Sequence, residues 1–548
     1  MVAVAARNPT QAQRLEEQPE RWRAEAARLK EENKSLRAEV RSLNSKVARL
    51  EGKVAALAER VAELARLAFG KRSEKHKTPE PAGEGGGAGR GSEGAKRRRG
   101  QQPGSKGHGR RDYSHIETEE VIHDLEEGER VCPHCGVPYD AFDEESSEAI
   151  DWLVRIVRIV HRRRRYRRAC RCRGHGVLVA PVPPKPIAKG RFTSGFLARL
   201  LHEKYVLGRP LERIVAALGA EGLAVPKGTL VGQLAKLAEL LRPLDQAIRA
   251  QNASSAHLHM DETTWRVFEE VEGKDSNRWW CWVFLGPDTS VFVIDPTRSA
   301  QVVSSHLGID IHAESLQEGR HLLVSSDFYA VYQSLAQIDG VEALWCWAHI
   351  RRLFVKVRDA HPWLAAWAEA WLCRIKNLYL AHRALRGTEA SGAEANSAEE
   401  AFHEAIGKID EARRAEMADE GLSAVAMEVL EKIEREWEGL ARHGEYPELD
   451  IDNNAAERAL RNPVVQRKCY SGSGSKWAAE LAASVWTITA TAALAGANPL
   501  LYLRDYLDAC AKAGAKAPSD KALEAFFPWS ASEADLDRWR LQDKGPSP

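Results

Sequence analysis

The stretch "AHLHMDETTWRVF", Ala256 to Phe268, alternates apolar and polar residues as a half-buried β-strand does, yet it carries Asp261 and Glu262 at its centre. Outward from it the sequence reads as strand "RWWCWVFLG", strand "SVFVIDP", a helix around Ala300 to Leu307, and strand "HLLVSSD" ending at Asp327. Acids therefore stand on the first and the fourth strand of one run.

Three consecutive strands, a helix and a further strand is the order of an RNase H-like α/β domain, in which the first and fourth strands are neighbours. That order predicts Asp261 and Asp327 side by side. Paired carboxylates repel each other at neutral pH unless a cation lies between them. Oxygen ligands on rigid strands suit Mg²⁺ or Mn²⁺, and a pair of such ions serves in-line displacement at phosphorus. A third carboxylate is needed, and the best candidate is Glu457 in "ELDIDNNAAERALRNPV". Asp450 or Asp452 can start a helix there, and a four-residue spacing predicts Asn453, Glu457 and Arg461 on one face: an amide, a metal ligand and a phosphate-binding cation. The separations are 327 − 261 = 66 and 457 − 327 = 130 residues, so the second interval holds an insertion. Residues 360–444, rich in Ala and Glu with helical periodicity, fit it.

Other acids fit less well. Glu262 points to the opposite face from Asp261 in a regular strand, which suits a supporting role. Asp339, Glu445 and Glu448 read as loop charges. "CWAHIRR" has a C-x-x-H spacing in Cys346 and His349 but no second pair nearby, so it reads as a packing element, with Arg351 and Arg352 available to DNA.

Ahead of this domain the 548 residues divide by composition. Leu29, Leu36, Leu43, Leu50, Leu57 and Leu64 recur every seven residues, with Val40, Val47, Val54 and Val61 at the alternate positions. That pattern over 15–70 predicts a parallel two-stranded coiled coil whose register Asn33 fixes, and hence a homodimer or higher oligomer. Residues 71–113 are Gly- and Pro-rich and end in a basic run that includes Arg97, Arg98, Arg99, Lys106, Arg110 and Arg111, a linker that can follow a phosphate backbone.

Residues 114–185 hold Cys132 and Cys135 at zinc-knuckle spacing, then Cys170 and Cys172 one residue short of it. Zn²⁺ is held there by four strained thiolates, or with His134 or His175 substituting, or the module keeps its shape without metal. Between the pairs, Arg155 to Arg173 has ten arginines and no acid, Arg162, Arg163, Arg164 and Arg165 among them. Residues 190–250 have the rhythm of a helix-turn-helix, with a second helix starting near Pro226 and offering Lys227 to DNA.

The net charge of +1 hides this segregation, and local basic blocks beside a neutral whole point to a polyanion partner. Nine cysteines, an odd number with no signal peptide, predict a reducing compartment, by default the cytoplasm and here the nucleoid. The uncharged stretch Leu481 to Leu503, broken by Asn498 and Pro499, reads as a buried core helix rather than a membrane span. Residues 255–495 form the expected catalytic domain and 496–548 a helical tail.

The motifs "HMDETTWRV", "SSDFYAVY", "CWAHIRRLF", "DNNAAERALR" followed by "RKCYSGS", with the earlier "AFGKRSEK" and "GQQPGSKGHGRR", occur in one order over about 25 to 510. In this the chain resembles the insertion sequence 66 family of transposases. The resemblance implies a Mg²⁺- or Mn²⁺-dependent DDE enzyme with triad Asp261, Asp327 and Glu457. It also implies a leucine zipper, a zinc-finger-like module and a helix-turn-helix ahead of the catalytic domain. The expected partners are terminal inverted repeats, target DNA and small accessory transposition proteins. Two rivals remain. A non-catalytic DNA-binding regulator derived from a transposase predicts a damaged triad, and a structure-selective nuclease leaves the zipper and finger unexplained.

Overall fold

A computed structural model of the chain describes residues 155–167, 177–270, 276–387 and 393–540, with scattered positions at 28–46 and 133–137. The chain divides into two compact units. One comprises 1–104 with 359–363, the other 105–358 with 364–548. In the first, the described positions between 28 and 46 are helical and exposed. The rest of the expected zipper, the basic linker and Cys132, Cys170 and Cys172 lie outside the described residues.

The second unit begins with a hairpin, β1 (Arg165–Arg167) against β2 (Val177–Val179). Both strands are fully exposed, and Arg163 Nε donates to the Ala180 carbonyl at 2.8 Å. Three helices follow: α1 (Ser194–Leu201), α2 (Leu211–Ala220) and α3 (Lys227–Ala253), the last starting directly after Pro226. Proline suits a helix start because its missing N–H would have no partner there.

A five-stranded mixed sheet forms the centre, in the order β5-β4-β3-β6-β7. Its strands are β3 (His257–Arg266), β4 (Arg278–Leu285), β5 (Ser290–Asp295), β6 (Leu322–Ser326) and β7 (Val341–Trp345). β3, β4 and β5 run antiparallel as consecutive neighbours, whereas β6 joins β3 in parallel and β7 extends the parallel side. α4 (Ala300–Leu307) makes the crossover from β5 to β6, and α5 (Ala330–Leu335) the one from β6 to β7. β3 is thus the central strand. The alternation read from its sequence holds in its first half, with Leu258 and Met260 buried, and lapses after Asp261, where Trp265 is buried on the opposite face. β6 is buried along its whole length, as a parallel strand covered on both faces must be.

After β7, α6 (Trp347–Ala360) leads to α7 (Ala365–Gly387), α8 (Ala393–Met417), α9 (Ala424–Arg435) and α10 (Trp437–Ala441). The chain returns to the sheet at α11 (Asn454–Ala459) and α12 (Arg461–Tyr470). α13 (Lys476–Leu494) and α14 (Pro499–Lys512) then meet at a bend of 115°. No single described helix is long and apolar enough to cross a membrane. The uncharged stretch has a structural task instead. Thr487 and Thr491, one turn apart on α13, accept through Oγ1 from the backbone N–H groups of Phe292 at 2.9 Å and Ser290 at 3.1 Å. β5 is an edge strand, and these hydroxyls satisfy the donors that an edge leaves open.

Candidate active site

β3 and β6 pair with a constant offset, His257 with Leu323 through His259 with Ser325, so that 323 − 257 = 66. The same offset separates the two acids, 327 − 261 = 66. Asp327 is the first residue beyond β6, level with Asp261 on the adjacent strand. Its Oδ1 accepts from the Tyr329 N–H at 2.9 Å, an Asx turn that fixes the carboxyl where the strand gives way to α5.

Asp261 is half-buried and accepts from the Glu262 N–H at 2.8 Å. Burial pushes its carboxyl up to about 7, and the nearby charges of Glu262, Asp327 and Glu457 add to the rise against that one hydrogen bond. The three acids picked out in the sequence are therefore within electrostatic reach of one another. Among the described residues neither Asp261 nor Asp327 has a salt-bridge partner.

The other two acids do have cations. Glu262, only 2% exposed in its side chain, accepts from Arg298 Nε at 2.8 Å and from Tyr332 Oη at 2.6 Å. Arg298 also stacks against the rings of Tyr329 and Trp280. Burial raises the Glu262 pKa, and the hydrogen bonds from Tyr332 and Arg298 oppose the rise. Glu457 takes Nη2 of Arg352 at 2.9 Å on each of its two oxygens, while Nη1 of Arg352 lies 3.1 Å from His349 Nε2. His349 is held below its ordinary pKa by burial and then by Arg352, so it is the neutral imidazole that accepts there. Arg352 is thus engaged inside the site, where the sequence reading had it available to DNA.

The expectation of one continuous helix from Asn453 to Arg461 is corrected, because the helix breaks at Leu460. Asn453 is buried: its Nδ2 donates to the Met260 carbonyl at 2.7 Å, its Oδ1 lies 3.0 Å from His259 Nδ1, and its N–H reaches Cys346 Sγ at 3.1 Å. It pins the start of α11 to β3 one residue before Asp261. α11 then stops, and α12 restarts at Arg461, because Pro463 has no N–H to give the Ala459 carbonyl. Arg461 is exposed.

Lys227 is paired with Glu212 across α2 and α3. The arginines at 162–165 are exposed on and before β1, while Arg97, Arg98, Arg99, Lys106, Arg110 and Arg111 lie outside the described residues. Of the zinc candidates only His134 and Cys135 are described, both exposed, the latter as a free thiol. Sequence reasoning missed Arg298 and Tyr332 as partners of Glu262, and Arg352 as the partner of Glu457. Tyr332 and Arg352 stood in quoted motifs, whereas Arg298 sits in a loop with no signal of its own.

Comparison with known proteins now decides the family. Residues 189–481 match the model of the family described as Transposase IS66 family, and this span takes in the whole sheet and all three acids. The chain belongs to that family. Two relatives of this transposase, both from Sinorhizobium fredii (strain NBRC 101917 / NGR234), carry the names "Uncharacterized protein y4qI" and "Uncharacterized protein y4jD". The first is 27% identical over 434 residues, 76% of each chain. The second is 25% identical over 435 residues, 76% of this chain and 80% of the relative.

Transposases that use acidic triads work with divalent metals, so the fit of this transposase's residues to such an ion can be judged. Among the described residues no three ligating side chains close around one point. The donor set nevertheless suits a hard cation: Asp261 and Asp327 offer carboxylate oxygens without a salt-bridge partner among the described residues, on neighbouring elements of one sheet. Glu457 has to leave Arg352 to join them.

Proposed function

We propose that this transposase is a DDE enzyme with an RNase H-like catalytic domain. In this reading it binds the terminal inverted repeats of its element and catalyses strand cleavage and strand transfer. The observation that carries the proposal is the level placement of Asp261 and Asp327 on adjacent parallel strands, with Glu457 close enough to raise the Asp261 pKa. Asp261, Asp327 and Glu457 would hold Mg²⁺ or Mn²⁺. When bound, the ion supplies Lewis acidity at the phosphate and stabilises charge on the attacking and leaving oxygens. A water attacks the phosphorus at each element end and the 3′-oxygen leaves. The freed 3′-hydroxyl then attacks a phosphodiester of target DNA, its oxygen bonding to the phosphorus as the target strand's own 3′-oxygen leaves and takes up a proton. β3 and the end of β6 would present Asp261 and Asp327 to that phosphate and α11 would bring Glu457, while the Arg298–Glu262–Tyr332 clamp fixes β3 where it carries Asp261. The exposed arginines of the β1 hairpin and the basic linker would grip the DNA backbone. The zipper would join two copies, one for each end, and the Cys132, Cys135, Cys170 and Cys172 module, with or without Zn²⁺, would help to read the ends.

The test is a duplex carrying one element end, incubated with Mg²⁺ and full-length protein. Asp261→Asn, Asp327→Asn and Glu457→Gln should each lower cleavage at least about a hundredfold while leaving end binding within a few-fold. Cleavage by Asp327→Asn at near the wild-type rate would remove that residue from the triad. Binding of ends with no cleavage by the wild-type protein would favour the regulator reading.

A further inference from the structure

Arg352 stands on the second turn of α6, and Nη2 of its guanidinium serves both oxygens of Glu457 while Nη1 faces His349. Side-chain exposure is 36% for Arg352, 31% for Glu457 and 29% for His349, so the group lies at the rim of the site rather than in the core. A carboxylate that gives both oxygens to a guanidinium is satisfied and nearly neutralised. Its pull on a divalent ion is weakened accordingly. Yet Glu457 is the only one of the three acids with such a partner, and it arrives on a separate element, α11, rather than on the sheet.

We infer that Arg352 is an exchange partner for the third carboxylate: it holds Glu457 off the site at rest, yields it when a divalent cation binds, and then turns the same guanidinium to a DNA phosphate. The inference rests on the metal-dependent reading of the triad and adds to it a positioning residue. Three features favour exchange over a purely structural ion pair. The contact is partly exposed, so separating it costs little desolvation and the pair contributes about 1 kcal/mol at most. His349 keeps a hold on Nη1 after Glu457 leaves, so the guanidinium stays at the edge of the site. A planar guanidinium also takes phosphate oxygens with the geometry it uses for carboxylate, so the exchange replaces one anion with another of similar shape.

The experiment titrates Mn²⁺ into full-length protein without DNA and reads free Mn²⁺ by electron paramagnetic resonance. Arg352→Gln, which removes the competing charge, should bind Mn²⁺ about two- to fivefold more tightly than wild type, the range expected for an exposed pair of up to ~1 kcal/mol. Glu457→Gln should bind more weakly, and adding Arg352→Gln to it should give no gain, because the gain acts through Glu457. With Mg²⁺ present, Arg352→Gln should hold an element-end duplex less tightly than wild type, whereas in chelator the two should differ less. Arg352→Lys, which keeps charge and loses the second nitrogen that reaches His349, should lie between them in both assays and serves if Arg352→Gln melts early.

Equal or weaker Mn²⁺ binding by folded Arg352→Gln and Arg352→Lys would overturn the exchange. If Glu457→Gln still lowered affinity in that case, the metal site would stand and only the exchange would fail. If Asp261→Asn and Glu457→Gln both left Mn²⁺ binding unchanged, the metal-site reading itself would fall.

Discussion

Asp261 and Glu262 are adjacent carboxylates on one strand, and their surroundings assign them different work. Glu262 meets a guanidinium and a phenol and becomes part of the frame. Asp261 meets a single backbone N–H, and burial, with three other acids nearby, raises its pKa to about 7 where its ordinary value is 3.8. The folded protein therefore retains a proton that the unfolded chain has released. Stability from this group is full below about pH 4 and is lost as pH rises through about 7. Asp261→Asn removes that loss. In chelator, the variant should melt a few degrees above wild type at pH 8 and close to it at pH 5, a difference worth about 1–2 kcal/mol after allowing for partial hydration. Thermal melts at the two pH values check it, and an equal offset at both would mean that the carboxyl is not held protonated in the fold. Adding Mn²⁺ to wild type should recover stability at pH 8, since a cation cancels the same repulsion.

At the scale of elements, the site depends on how α11 is fastened to β3, and one side chain does most of this. Asn453→Ala would leave the Met260 carbonyl and His259 Nδ1 without their buried partner, at a cost of about 1–3 kcal/mol for each group left unsatisfied. Cleavage should fall much more than end binding, because Glu457 sits one turn along the loosened helix. Parallel melting and cleavage assays separate this from a phosphate-ligand role, which would cost activity without stability. The strand alternation, the 66-residue interval and the "DNNAAER" helix start were legible in the sequence because each is a local or periodic signal. The helix break at Leu460 was not read, although Pro463 encodes it; the four-residue spacing was carried through it to Arg461. Partners such as Arg298, Tyr332 and Arg352 lie 36, 70 and 105 residues from the acids they hold. Only the closed fold brings such groups together, and the same holds for Lys227, which reads as a free cation until α2 packs Glu212 against it.

At the scale of the whole molecule, three buried imidazoles link distant parts of the fold to one pH range. His257, at the head of β3, lies 2.9 Å from Ser325 Oγ on β6, and burial lowers its pKa to about 3. His306 on α4 meets Asn252 Oδ1 of α3 at 2.7 Å and is likewise lowered by burial to about 3. His443, just after α10, donates to the Trp345 carbonyl of β7 at 3.0 Å, and burial brings it to about 4. Each is neutral in the folded protein and takes up a proton on unfolding once the pH falls below its ordinary 6.5. The sign is opposite to that of Asp261: the unfolded chain binds more protons here, so stability falls as pH falls. Between about pH 4.5 and 6, three imidazoles pull toward unfolding and Asp261 pulls back by one proton. His202, His259, His349 and His382 are lowered in the same sense, and Glu262 and Glu436 are raised as Asp261 is, so each imidazole in excess costs about 1.4 kcal/mol per pH unit. For a fold held by a margin of about 5–15 kcal/mol this is decisive. The sheet should therefore unfold cooperatively between about pH 6 and pH 4, followed by tryptophan fluorescence and far-ultraviolet circular dichroism, with net proton uptake. His306→Gln, which can keep a hydrogen bond to Asn252 without titrating, should shift that midpoint to lower pH. Retention of native fluorescence at pH 4 would show that these imidazoles accept charge within the fold, through water or local opening, and that acid does not reach the core through them.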